Sequence, residues 1–257
     1  MKKLMTSLML TAVALVTVPL TVNAATTAAG KDKTLATGET NINIEFEAAD
    51  LTQAHPVDPN HPNEVVDPVP GHDLLPVNPN NPSFLYVTDN LTFGNAKINM
   101  LRSQIYHANL LQPNQGSSAD KSSFDWTKQF VLEIADGRGE DAGGWALKVS
   151  GAAPMMGKDQ DTHQIDGAKL TWPTKGNKTT NSGEGDNGVV VNSDDTVVPL
   201  NGQSSAALLS ADSHKGAGIT VMTFAPDDIL LEVPANKAKP TTYRTEVIWS
   251  LENTATA

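Results

Sequence analysis

The chain contains no cysteine among its 257 residues, so neither a disulfide framework nor a thiol nucleophile is available to it. Aromatic residues make up only 5% of it, and lysine plus arginine number 18 against 29 acidic residues. The resulting net charge of −11 argues against nucleic acid and anionic lipid as general partners. It also opposes attraction to anionic wall polymers by net charge, leaving only a local basic patch to provide it. Long apolar runs are absent except at the start, where Lys2 and Lys3 precede an apolar stretch from Leu4 to Val18, and Val22, Asn23 and Ala24 supply small residues. That order is a secretory signal peptide over residues 1–24, too short for the roughly 20 apolar residues of a membrane span. Its removal takes two lysines and no acid, moving the net charge from −11 to −13. The expected mature protein is exported, not inserted in a membrane, and stabilised by core size alone.

Several chemistries are also missing. There is no His-Glu-x-x-His pair and no Gly-x-Ser-x-Gly turn. His55, His61 and His72 sit in or beside a proline-rich stretch and read as solvated side chains, since a metal site needs rigidly held ligands. Asp159, Asp161 and His163 hint at a calcium loop but lack the EF-hand glycine and glutamate. Glu184, Asp186, Asp194 and Asp195 are looser candidates and read as solvated acids. No catalytic residue, cofactor or metal is therefore expected, and binding is expected in place of catalysis. A secreted hydrolase has no positive support.

What is present is strand pattern. Residues 25–39 are a flexible lead-in, and Ile42, Ile44 and Phe46 alternate with polar residues as a short strand. Half of the chain's 16 prolines fall in 56–82, in the near-copies Val57-Asp58-Pro59-Asn60-His61-Pro62 and Val77-Asn78-Pro79-Asn80-Asn81-Pro82. Such density excludes helix and sheet and predicts an extended coil, which at roughly 3.1 Å per residue could reach about 80 Å. It is a long excursion within one domain spanning 40–257, either solvated or serving as a docking arm.

Beyond it, strands are predicted at Phe84–Val87 and Leu91–Phe93 around a Thr88-Asp89-Asn90 turn. Others follow at Gln129–Ala135, Trp145–Val149, Ala168–Trp172, Val189–Val191, Val197–Leu200, Ile219–Phe224, Ile229–Val233 and Tyr243–Leu251. Ser204–Ala211 invites a short helix, residues 174–188 read as a mobile loop, and Asp136–Asp141 reads as a hairpin turn. Many short strands with Gly, Asn and Asp turns predict an all-β antiparallel β-sandwich, immunoglobulin-like or similar, with long loops.

Two strands share a design. Trp145, Leu147 and Val149 lie on one face of theirs, and Tyr243, Thr245, Val247, Trp249 and Leu251 on one face of the last. A Trp in register with Leu and Val reads first as core and second as an exposed ligand platform. With Asp136-Gly137-Arg138-Gly139 and Gly143-Gly144 before the first Trp-x-Leu, and Thr242-Tyr243 leading to the second, the chain resembles the WxL domain of surface proteins from low-GC Gram-positive bacteria. The departures are Ile248 where the family usually has Thr, and Glu252 after the final Leu.

The resemblance implies non-covalent attachment to peptidoglycan at the cell wall. It also implies complexes with other WxL proteins and membrane-anchored WxL-interacting proteins, and it assigns Trp145, Leu147, Trp249 and Leu251 to wall binding. Adhesion to host matrix or plant polysaccharide through partner proteins is the alternative it leaves.

Overall fold

A computed structural model describes residues 44–45, 55–66, 75–110, 124, 126, 128–139, 143–151, 156–157, 163–203 and 205–254. The signal-peptide and lead-in segments lie outside these. The chain divides into Met1–Phe46 and Glu47–Ala257. In the first unit Ile44 and Glu45 are exposed and in no strand, Ile44 by 74%, which corrects the alternation reading there. Ile42 and Phe46 are outside the described residues.

Among its described residues the second unit has eighteen strands. In chain order these begin with β1 (Val57–Asp58), β2 (His61–Val65), β3 (Ser83–Val87), β4 (Leu91–Thr92), β5 (Gln104–His107) and β6 (Asn109–Leu110). Next come β7 (Phe130–Asp136), β8 (Trp145–Gly151), β9 (Met156–Gly157), β10 (Lys169–Trp172), β11 (Thr179–Asn181) and β12 (Val189–Val191). The last are β13 (Thr196–Pro199), β14 (Ser205–Ala211), β15 (Gly218–Phe224), β16 (Leu230–Val233), β17 (Tyr243–Arg244) and β18 (Val247–Asn253). They form three four-stranded antiparallel sheets, ordered β13-β10-β16-β5, β11-β15-β7-β3 and β12-β14-β8-β18, with two-stranded ribbons β1-β2, β17-β9 and β4-β6. The architecture is the expected all-β sandwich.

Each large sheet turns one face to a common core. Phe130, Leu132 and Ile134 of β7 meet Met222 and Phe224 of β15, Leu170 and Trp172 of β10, and Trp145, Leu147 and Val149 of β8. Period-two alternation explains these inward sides. The β7 sheet is buried on its other face too, where Val131 and Val221 join Val57, Val66, Tyr86, Phe124 and Trp126 in a second cluster. All seven residues of β7 are consequently buried.

That second cluster corrects the reading of the proline stretch. Val57 and Val66 are buried, and β1 pairs with β2 across Pro59-Asn60. The Asp58 Oδ1 accepts the Asn60 N–H at 2.9 Å, closing the turn, and Pro59 occupies a turn position that needs no N–H. Glu133 of β7 accepts the Val57 N–H through Oε2 at 3.0 Å and so fixes the hairpin to the sheet.

Other expectations change for tertiary reasons. Ser205–Ala211 is a strand, not helix, because Leu209 and Ala211 pack inward opposite Leu147 and Trp145, with a bulge between Ala207 and Leu209 that also buries Leu208. Residues 174–188 are not a loop throughout, since Thr179–Asn181 pairs with β15 and Thr174 is buried against Thr196. β3 and β4 do not pair with each other, and β7 and β8 on either side of the expected Asp136–Asp141 hairpin turn lie in different sheets, so no hairpin joins them. The final segment splits into β17 and β18. Among the described residues no helix is long and apolar enough to cross a membrane.

Candidate functional site

The two Trp-x-Leu strands are neighbours. β8 and β18 pair antiparallel with Leu147 opposite Leu251, Trp249 opposite Val149 and Trp145 opposite Asn253. The indoles therefore sit at opposite ends of one ribbon, on its inward side. Trp145 and Leu147 are fully buried, and Trp249 and Leu251 are half-buried against the same core.

The Trp249 ring lies 4.8 Å from that of Trp172, edge to face, and 5.8 Å from that of Phe130. Those three rings come from three different sheets, so Trp249 locks their junction. Rings in such arrangements contribute about 0.5–1.5 kcal/mol each beyond the area they bury.

Trp145 is held by glycine. Gly216 has φ +79°, and a Cβ there would lie 2.5 Å from Trp145 Nε1 and 2.7 Å from Ala211 Cβ. Gly144, directly before the Trp, is equally confined, because a Cβ would meet the Thr254 Oγ1 at 2.3 Å. Its carbonyl accepts the Thr254 N–H at 2.8 Å, tying the end of β18 to the start of β8.

The Gly-rich segment ahead of the first Trp is organised by Arg138. Its Nε and Nη2 donate to the two carboxylate oxygens of Asp136 at 2.8 and 2.7 Å, and Nη2 also donates to the Gly143 carbonyl at 2.8 Å. The hydrogen bond to buried Asp136 raises the arginine pKa further above its ordinary value. This clamp fixes where the chain crosses between sheets and therefore where Trp145 enters the core. Its signal was present in the Asp-Gly-Arg-Gly sequence, but spacing alone does not reveal that Arg138 grips both Asp136 and Gly143. Neither does it reveal Gly216, which lies far from Trp145 in the chain.

The outward side of the same sheet is different. The register aligns Val190, Ser210, Ala146 and Glu252 in one row, Ala207, Lys148 and Ser250 in a second, and Ser205, Ser150 and Ile248 in a third. Those on the two central strands, Ala146, Lys148, Ser150, Ser205, Ala207 and Ser210, are small or polar, while Val190 and Ile248 on the edge strands are apolar and exposed. Lys148 Nζ donates to Glu252 Oε2 at 2.6 Å, and the pair stays partly open to solvent. No group of three or more His, Asp or Glu among the described residues is placed to hold a metal ion.

The geometry is that of a β-sandwich module whose two Trp-x-Leu strands share one ribbon, with the motif side chains inward and a polar strip outward. The sequence model of the WxL domain, described as surface cell wall-binding, matches residues 33–255. The chain belongs to that family and is a cell-surface, cell-wall-binding protein. No curated protein and no solved structure matches it.

Proposed function

We propose that the protein adheres to peptidoglycan without covalent linkage, through the outward side of the β12-β14-β8-β18 sheet, and that it does so without turning the polymer over. The observation that carries this reading is the division of labour on the β8–β18 ribbon. Trp145 and Leu147 have no exposed surface with which to touch a ligand, whereas the opposite side offers serine hydroxyls beside the Lys148–Glu252 pair. Small side chains along the two central strands leave a shallow strip, flanked at the edges by exposed Val190 and Ile248, on which a long polymer can lie. Hydroxyls suit its sugars, and a cation and an anion suit the carboxylates and amines of its peptide stems. Trp145, Leu147, Trp249 and Leu251 then serve wall binding by holding that strip in register. Membership of the family supports a further element of the proposal, that the protein works in a complex with other WxL proteins and membrane-anchored partners.

Co-sedimentation of the protein with purified peptidoglycan tests the first part. The double variant Ala207→Arg/Ser250→Arg places bulky charge on the strip without touching the core, so it should keep its thermal midpoint and lose most retention. Unchanged retention in the folded variant would refute the strip as the contact surface. Release of soluble sugars or peptides during the assay would refute binding without turnover. Recovery of the protein from the cell surface alone, with no other WxL protein, would remove the complex from the proposal.

A further inference from the structure

We propose that the turn from Lys97 to Arg102 is a membrane-surface anchor, whose apolar tip enters the interface of an anionic lipid bilayer. This is independent of the wall-contact strip. Leu101 is 94% exposed and Met100 72%, with Ile98 also exposed at the base of the turn, so three large apolar side chains face solvent within four residues. Scattered exposed apolar residues need no explanation, but a cluster at the end of one turn does.

The turn is built to enter a medium without hydrogen-bonding partners. The Asn99 Oδ1 accepts both the Leu101 N–H at 2.9 Å and the Arg102 N–H at 3.1 Å. The Asn99 carbonyl accepts the Asn236 N–H at 2.9 Å, bracing the turn against the segment after β16. Tip insertion therefore strands neither of those two donors, which is the constraint a bilayer imposes on backbone. Ile98 and Asn99 also line a small recess with Tyr106, Val233, Pro234 and Ala238, so the base of the turn is supported while its tip projects.

Charge decides between a lipid surface and an apolar pocket on another protein. Lys97 and Arg102 bracket the apolar tip in the sequence, and both are exposed. Lys237 and Lys239 follow on the segment braced against the turn, with Lys237 3.9 Å from Asp166. Glu232 of β16 lies opposite Ile105 in the strand register. Cations at the base of an apolar tip match phosphate headgroups above acyl chains. The negative charge of the whole chain works against this at long range, but at about 0.15 M salt the screening length is about 8 Å, so the charges at the tip govern contact. The anchor adds a second, weak and reversible attachment.

Vesicle flotation tests it, using the protein recovered from the cell surface and vesicles of pure phosphatidylcholine or of phosphatidylcholine with phosphatidylglycerol. Wild-type protein should float with the anionic vesicles and much less with the neutral ones. Met100→Ser/Leu101→Ser should abolish flotation, and Lys97→Gln/Arg102→Gln should weaken it by roughly fivefold for each cation removed. All four positions are exposed, so thermal midpoints should not move, and wall retention should be intact in every variant. Failure of the wild-type protein to float with anionic vesicles overturns the proposal, as does flotation that survives the Met100/Leu101 change. Equal binding to both vesicle types overturns the role of Lys97 and Arg102. Loss of a co-purifying surface protein in the Met100/Leu101 variant, without vesicle binding by wild type, would make the tip a protein contact and likewise overturn it.

Discussion

Leu147 and Leu251 face each other across β8 and β18, so the leucines of the two Trp-x-Leu patterns are direct cross-strand partners. The two patterns, far apart in sequence, are one structural device. Each Trp caps an opposite end of the paired leucines, and a substitution in either strand is felt by the other.

Truncation of the two indoles should therefore differ in degree. Trp145→Ala empties a fully buried site and should cost about 3–5 kcal/mol, enough to unfold a marginal domain. Trp249 is half-buried, so Trp249→Ala should cost less and leave a folded, loosened protein. Denaturant titration followed by far-UV and near-UV circular dichroism separates the two. If the folded Trp249→Ala protein also loses wall retention with no loosening of the near-UV signal, the indole itself touches the wall.

Gly216→Ala should destabilise the protein by more than 1 kcal/mol, roughly, because it combines a strained backbone at φ +79° with a clash on Trp145. Gly176→Ala supplies the control, with φ +75° and open space around its Cβ. The difference between the two thermal midpoints isolates the contact with the indole.

Arg138→Lys keeps the charge but removes the paired donation to Asp136 and the link to the Gly143 carbonyl. A loss of about 1–3 kcal/mol is expected, since Asp136 is buried and a single ammonium cannot reproduce the fork. Urea unfolding measures it, and an unchanged midpoint would mean the crossing between sheets is held by packing alone.

Glu133 makes stability depend on pH. Burial pushes its pKa from 4.5 up to about 8, the Val57 N–H pulls it down in part, and Asp58 adds to the rise. Between those two values the folded protein holds a proton that the unfolded chain has released, so stability falls as pH rises through this window and levels off above it. Glu133→Gln keeps an acceptor for Val57 and removes the ionisation. Its unfolding midpoint should be nearly flat from pH 5 to 9 where the wild type declines, and a parallel decline in both would acquit Glu133.

Much of this was legible in the sequence. Strand alternation located β7, β8, β10, β15 and β16 because each has a face rich in large apolar residues, and the paired Trp-x-Leu patterns identified the family. The errors share a cause. Ser205–Ala211 carries alanine and leucine, which favour helix locally, but the neighbouring β8 and β12 offer it a ladder on both sides. Proline density concealed β1 and β2 because within those two strands only Val57 and Asp58 are buried, and the Val57 N–H is held by Glu133, which alternation alone marks as a residue of the opposite face of β7. β5 escaped notice because Gln104 and Ile105 invert the usual polarity, with Ile105 outward and half-exposed. Which residues of the Trp-x-Leu patterns are reachable by solvent depends on packing between sheets, and no spacing encodes that.

The pairing of β18 with β8 also sets an order of events. An exported chain crosses its membrane as an extended thread, and the central strand β8 has β14 on one side and β18 on the other. Until residues as late as Asn253 have emerged, Trp249 cannot bridge the three sheets and the ribbon lacks its second half.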